Sequence, residues 1–105
     1  PLLHAHNLPP HIEVLAEGSG ADAMYFVASG RVRMSSGTDQ REFATGDFFG
    51  YTAMVENDIN RASFVTSARS RLLKLHREDF HRLETRSPGI ARRIREISAA
   101  RARHL

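Results

Sequence analysis

Apolar and polar positions alternate in short bursts along the first three quarters of this chain, which is the pattern of half-buried strands. Ile12, Val14 and Ala16 alternate with polar neighbours, behind a Pro9-Pro10 pair that excludes helix. Met24 to Ala28 is an unbroken apolar run, short enough for a buried strand. Ser29-Gly30 turns the chain into the alternating Arg31-Val32-Arg33-Met34, which reads as the second arm of a hairpin. Ser35 to Asp39 predicts a further turn before Glu42-Phe43-Ala44. Ala62 to Ala68 and Leu72 to Leu75 predict another strand pair, folded around Arg69-Ser70. Many short strands with turn residues between them indicate an antiparallel sandwich or jelly roll.

The period then changes. His76-Arg77-Glu78-Asp79 opens a helix with Phe80 and Leu83 on its inner face, ending near Ser87. Ser87-Pro88 is a helix start, with serine as cap and proline at the first helical position. From there Ile90, Ile94 and Ile97 fall at i, i+4 and i+7, one apolar stripe on an arginine-studded rod. The stripe suits docking onto the roll or onto another subunit, so a homo-oligomer is compatible with it. The expected architecture is a mostly β chain: an antiparallel jelly roll over residues 1–75 and two closing α-helices over 76–105, in one domain with a modest core.

Residues 46–63 interrupt the strands. Two glycines bracket two aromatics (Gly46-Asp47-Phe48-Phe49-Gly50). A short helix-forming segment follows (Ala53-Met54-Val55-Glu56), then a polar turn and Arg61. The order predicts strand, tight turn, one or two turns of helix, loop and strand. The start of such a helix carries unpaired amide donors that attract anions. Arg61 is placed to grip a phosphate with two parallel hydrogen bonds.

Three motifs carry a family resemblance. Phe49-Gly50-x-x-Ala53-Met54 followed by Arg61-Ala62-Ser63 resembles the phosphate-binding cassette of cyclic nucleotide-binding domains, Phe-Gly-Glu-x-Ala-Leu and then Arg with Ser or Thr and Ala. Gly18 through Met24-Tyr25-Phe26-Val27 to Gly30-Arg31-Val32 resembles that family's Gly-x(5)-Met-Tyr-Phe-Ile-x-x-Gly-x-Val. Leu75 to Phe80 resembles its Leu-x-x-x-Asp-Phe. The resemblance implies a ligand, cAMP or cGMP, with no further cofactor. Its expected contacts are Phe49, Gly50, Tyr51, Thr52, Ala53, Arg61, Ala62 and Ser63, Arg61 pairing with the cyclic phosphate and the amides near Gly50, Thr52 and Ala53 pointing at it. It also implies that the last helix is a lid over the base, with Arg101 as the base-capping residue. Two positions depart from the family. Ala62 lacks the usual hydroxyl, although Ser63 is adjacent. Tyr51 stands where the family has a glutamate that accepts from the ribose 2′-hydroxyl. A hydrogen bond to a charged group contributes roughly 1.5–3 kcal/mol, so its loss predicts roughly ten- to a hundredfold weaker binding.

Charge adds one feature. The net charge of +3 divides into −5 over residues 1–60 and +8 over 61–105, and arginine supplies all but one of the basic residues. A basic half can meet nucleic acid or an anionic membrane, but an arginine-rich, solvated helix pair accounts for it, and no nucleic-acid partner is expected. There is no cysteine, which excludes disulfide and thiolate chemistry. No apolar run approaches the ~18 residues of a membrane span, so the domain is expected to be soluble and cytoplasmic. Without an initiator methionine or a leader, it reads as a segment of a longer chain. His4 and His6 share a strand face and could chelate an ion in the manner of a cupin. Glu13 lies too far along for that pattern and no third ligand follows, so no metal is expected. No nucleophile–base pair, Walker loop or paired carboxylate site appears, and catalysis is not expected. A catabolite-activator-type regulator would add a helix-turn-helix, which these 105 residues do not contain. The run Ser87-Pro88-Gly89-Ile90-Ala91 resembles the tail of bacterial cyclic nucleotide-regulated channels and some cation antiporters, which implies a membrane channel or transporter domain in the same full-length chain. A degenerate domain that binds no nucleotide and acts as an assembly platform is the alternative.

Overall fold

The computed structural model describes residues 2–103. Eight strands and three helices follow one another: β1 (Leu3–Leu8), β2 (Glu13–Leu15), β3 (Ala23–Ser29), β4 (Arg31–Ser36), β5 (Asp39–Ala44), β6 (Phe48–Phe49), α1 (Tyr51–Glu56), β7 (Ser63–Thr66), β8 (Ser70–His76), α2 (Arg77–Arg86) and α3 (Pro88–Arg103). The expected β roll with a short inserted helix and two C-terminal helices is what the chain forms.

The strands make two antiparallel sheets, ordered β1-β8-β3-β6 and β2-β7-β4-β5. Two expected strand pairings are corrected by this order. β3 and β4 do not form a hairpin: Gly30 carries the chain from one sheet to the other, so β3 pairs with β8 and β6 while β4 pairs with β5 and β7. Likewise β7 and β8 lie in different sheets, β7 against β2 and β4, β8 against β1 and β3. Alternation reveals which face of a strand is buried but not which strand lies beside it. The Gly30 crossing is tight. Its φ is +97°, and a Cβ there would come within 2.5 Å of the Arg69 carbonyl oxygen and 2.6 Å of Ser70 Cα, so only glycine fits. Boundaries shift as well. Ser70, expected in a turn, is buried inside β8, and Asp39 opens β5 rather than closing a turn.

The unbroken apolar run of β3 is explained by burial on both of its faces. Tyr25 and Val27 point between the sheets, into a cluster with Val32, Phe43, Phe49, Phe64 and Leu72. Met24 and Phe26 point the other way, toward the helices, joining Phe48, Met54, Leu75, Phe80, Ala91 and Ile94. Adjacent phenylalanines in β6 therefore serve opposite layers, Phe49 inside the roll and Phe48 under the helices. The helical stripe is rotated from the expected one. Ala91 and Ile94 are buried and Ile97 half-buried, whereas Ile90 is 53% exposed. Phe80 is buried on α2 as expected, and α3 begins at Pro88, the Ser87 carbonyl accepting from the amides of Ile90 and Ala91.

Candidate functional site

Beyond β6 the chain turns at Gly50, whose φ of +85° places it in the left-handed region. A Cβ there would stand 3.2 Å from both the Ala23 carbonyl oxygen and Leu15 Cδ1, so the close approach adds to the preference for glycine that the positive φ sets. The turn launches α1, which has one buried residue, Met54. The first amides of a helix have no acceptor within it, and among the described residues nothing else accepts from Tyr51, Thr52 or Ala53.

The loop after α1 is pinned rather than loose. The Asp58 amide bonds the Ala53 carbonyl at 3.0 Å, and the Asp58 carbonyl accepts from Ala21 at 3.1 Å. Asn60, buried, exchanges backbone bonds with Gly18 and Ser19, and its side-chain amide reaches the Ser19 hydroxyl at 3.2 Å. Arg61 thus projects from a fixed backbone. Its side chain is 78% exposed, and its Nη2 lies 3.0 Å from Asp58 Oδ2. The other Asp58 oxygen accepts the Ile59 amide at 2.7 Å; that bond first, and the guanidinium second, hold the Asp58 carboxyl below its ordinary value.

These elements enclose a cavity of about 320 Å³, within the range of small-molecule sites. Phe49, Gly50, Tyr51, Thr52, Ala53, Arg61 and Ala62 all line it, and so does Arg101 from the far end of α3. Its walls include Met34, Phe43, Phe48, Phe64 and Ser98, with Glu56, Asp58, Ile59 and Asn60 at the loop side. Seven of the eight expected contact residues and the expected capping arginine therefore meet at one place. Ser63 does not line the cavity: its hydroxyl accepts the Glu17 amide at 3.1 Å.

Two of the lining side chains are also held by protein contacts. The Tyr51 ring packs edge-on against Phe80, 5.5 Å between centroids, and so braces α1 against α2. Burial raises its phenol above 10.0, Arg95 opposing and Glu84 reinforcing that shift. Arg101 is half-buried, with its guanidinium 4.4 Å from the Phe48 ring and 5.3 Å from Phe43, and Nη1 donating to the Phe48 carbonyl at 2.6 Å. Burial pulls its pKa down while Asp47 opposes the shift. Sequence reading had missed Asp58, though an acid three residues before Arg61 was the available signal. It had also missed Arg77, whose Nε donates to the Met54 carbonyl at 2.8 Å and whose Nη2 donates to Ala21, tying the end of α1 to the start of α2. His4 lies edge-on to His76 at 5.7 Å.

A second concavity, of about 350 Å³, lies between the helices and the outer face of the β1-β8-β3-β6 sheet. Leu2, Leu3, Phe26, Leu73, Leu75, Leu83 and Ile90 line it, and among the described residues Asp47 is its one charged side chain. None of the described helices is long and apolar enough to cross a membrane.

Comparison with known proteins agrees with this geometry. The family profile described as cyclic nucleotide-binding domain matches residues 5–87. A putative potassium channel protein of Rhodopseudomonas palustris is 35% identical over 104 residues, covering 95% of this chain and 25% of that protein. A cyclic nucleotide-gated potassium channel of Rhizobium etli is 31% identical over 99 residues, covering 94% of this chain and 28% of the channel. The crystal structure of the Thermus thermophilus catabolite activator protein superposes with a TM-score of 0.89 at 28% identity, over 98% of this chain and 51% of that one. The chain thus spans about a quarter of the length of the channel relatives. A β roll with a left-handed glycine before its inserted helix, an arginine beside that helix, and a profile match across most of its length together identify this chain as a member of the cyclic nucleotide-binding domain family.

Proposed function

We propose that the domain binds a cyclic nucleoside monophosphate, cAMP or cGMP, in the 320 Å³ cavity. The observation that carries this reading is the convergence of Arg61, the Gly50–Ala53 turn and Arg101 on that one space. Arg61 supplies the guanidinium for the cyclic phosphate, and the unpaired amides at the start of α1 supply further donors. The apolar walls receive the sugar and base, and Arg101, stacked on Phe48 and Phe43, caps the base from α3. Ala62 contributes a small wall residue without a hydroxyl. Tyr51, turned to Phe80, offers the ribose 2′-hydroxyl no carboxylate, so affinity is lower than a glutamate at that position would give. The domain is a sensor without catalysis. Its output is an ion channel or transporter on the cytoplasmic side of a membrane, a reading supported by the channel relatives of which this chain spans a quarter.

A second reading has its own observation. Tyr51 is engaged with Phe80 and Arg61 with Asp58, which fits a domain that keeps the family shape as a regulatory platform and binds no nucleotide. Calorimetric titration with cAMP and cGMP decides between them when repeated on Arg61→Ala and Tyr51→Glu. Sensing predicts saturable binding, loss in Arg61→Ala, and roughly tenfold or greater tightening in Tyr51→Glu. No heat in any of the proteins leaves the platform.

A further inference from the structure

Asp58 is fixed from three sides: its backbone bonds Ala53 and Ala21, and one carboxylate oxygen holds the Ile59 amide. The carboxylate is thereby held beside Arg61, and both groups line the same cavity. A guanidinium has a second edge of N–H donors, which is free to meet a phosphate while the first stays with Asp58. From this geometry we infer that Asp58 is a specificity residue, a built-in counter-anion that makes the site favour a singly charged phosphodiester over a doubly charged phosphomonoester. The inference rests on the cyclic nucleotide reading above and says which charge state that site accepts.

A phosphate seated on the second edge would stand about 6 Å from the carboxylate, from the width of the guanidinium plus charge-assisted hydrogen bonds. In water, two like charges at that distance disfavour binding by about threefold at low ionic strength. A monoanion meets that factor once. A dianion meets it twice, a factor of about ten. Physiological salt screens each to nearer twofold. Loss of Arg61 anchoring in an Asp58 variant would weaken the dianion more than the monoanion, which widens the ratio and so runs opposite to the narrowing expected from removing the carboxylate.

The experiment measures Kd for cAMP and for 5′-AMP at about pH 8, where the monoester is a dianion, on wild type, Asp58→Asn and Glu56→Gln. At low salt the 5′-AMP to cAMP ratio of Kd should shrink about threefold in Asp58→Asn, and this narrowing should vanish near about 0.5 M salt. Glu56→Gln, whose carboxylate holds no contact to Arg61 among the described residues, should narrow it less. Asp58→Ser retains a short acceptor for the Ile59 amide and should behave as the asparagine variant does if that one folds poorly. An unchanged or widened ratio in a protein that binds cAMP overturns the inference alone. Absence of cAMP binding in wild type and variants alike overturns the cyclic nucleotide reading and this inference together.

Discussion

Met54→Ala tests whether the cassette helix is held by one side chain. α1 is six residues long, too short to be stable by itself, and Met54 is its sole buried residue. That side chain is fully enclosed among Met24, Phe48, Leu75, Phe80, Ala91 and Ile94, where β3, α2 and α3 converge. Truncating a buried methionine to alanine costs about 2–5 kcal/mol. The full enclosure argues for the middle of that range, about 3 kcal/mol, because both helices and a sheet would have to move to refill the space. At about 4 °C per kcal/mol for a domain of this size, the midpoint of thermal unfolding should drop about 12 °C. Arg77 still holds the Met54 carbonyl, so α1 should loosen rather than detach. Urea unfolding gives the free energy, and amide exchange over residues 51–56 gives the local effect, which should exceed that in β3. Met54→Leu, which nearly conserves volume, should cost less than about 1.5 kcal/mol. A loss below about 1 kcal/mol in the alanine variant, with exchange in α1 unchanged, would refute the idea that this helix hangs on its methionine.

Two further outcomes follow from single groups. Thr66 is buried, with Oγ1 accepting from Ile12 at 2.8 Å and donating to Pro9 at 2.8 Å, so Thr66→Val leaves both backbone groups without that partner and should cost about 1–3 kcal/mol in urea unfolding. Tyr51 has its pKa raised above 10.0, so the fold favours the neutral phenol; that contribution is complete below about pH 10 and is lost as pH rises through the folded value. The melting temperature of wild type should therefore fall relative to Tyr51→Phe between about pH 8 and pH 11, and parallel curves would contradict it.

The sequence made some elements plain because one physical constraint dominated each. Met24 to Ala28 was short and apolar enough for a buried strand, and Ser87-Pro88 carried the cap and first-turn residues of a helix start. Gly50 and Arg61 stood out because turn and anion chemistry require particular residue types, and both line the cavity. Strand partners were not legible, since the alternation of Arg31 to Met34 marks a face and is silent about which sheet that face belongs to. The direction of the Tyr51 ring was hidden for a similar reason. A tyrosine at that point fits a sugar pocket or a helix face equally well, and the position of Phe80 decided it. Ile90, Ile94 and Ile97 fit one stripe by spacing, yet Ala91 takes the innermost place because α3 packs closely against α2 there.

The hop at Gly30 has a kinetic consequence. Because most successive strands change sheets, β4 and β5 excepted, β1 waits for β8 and β2 waits for β7, partners more than forty residues away. Such non-local closure slows folding into the range of milliseconds to seconds typical of β architectures. During synthesis, neither layer can be completed until the segment from Ser63 to His76 has emerged, so the cavity beside α1 forms late, and the wall supplied by Ser98 and Arg101 later still.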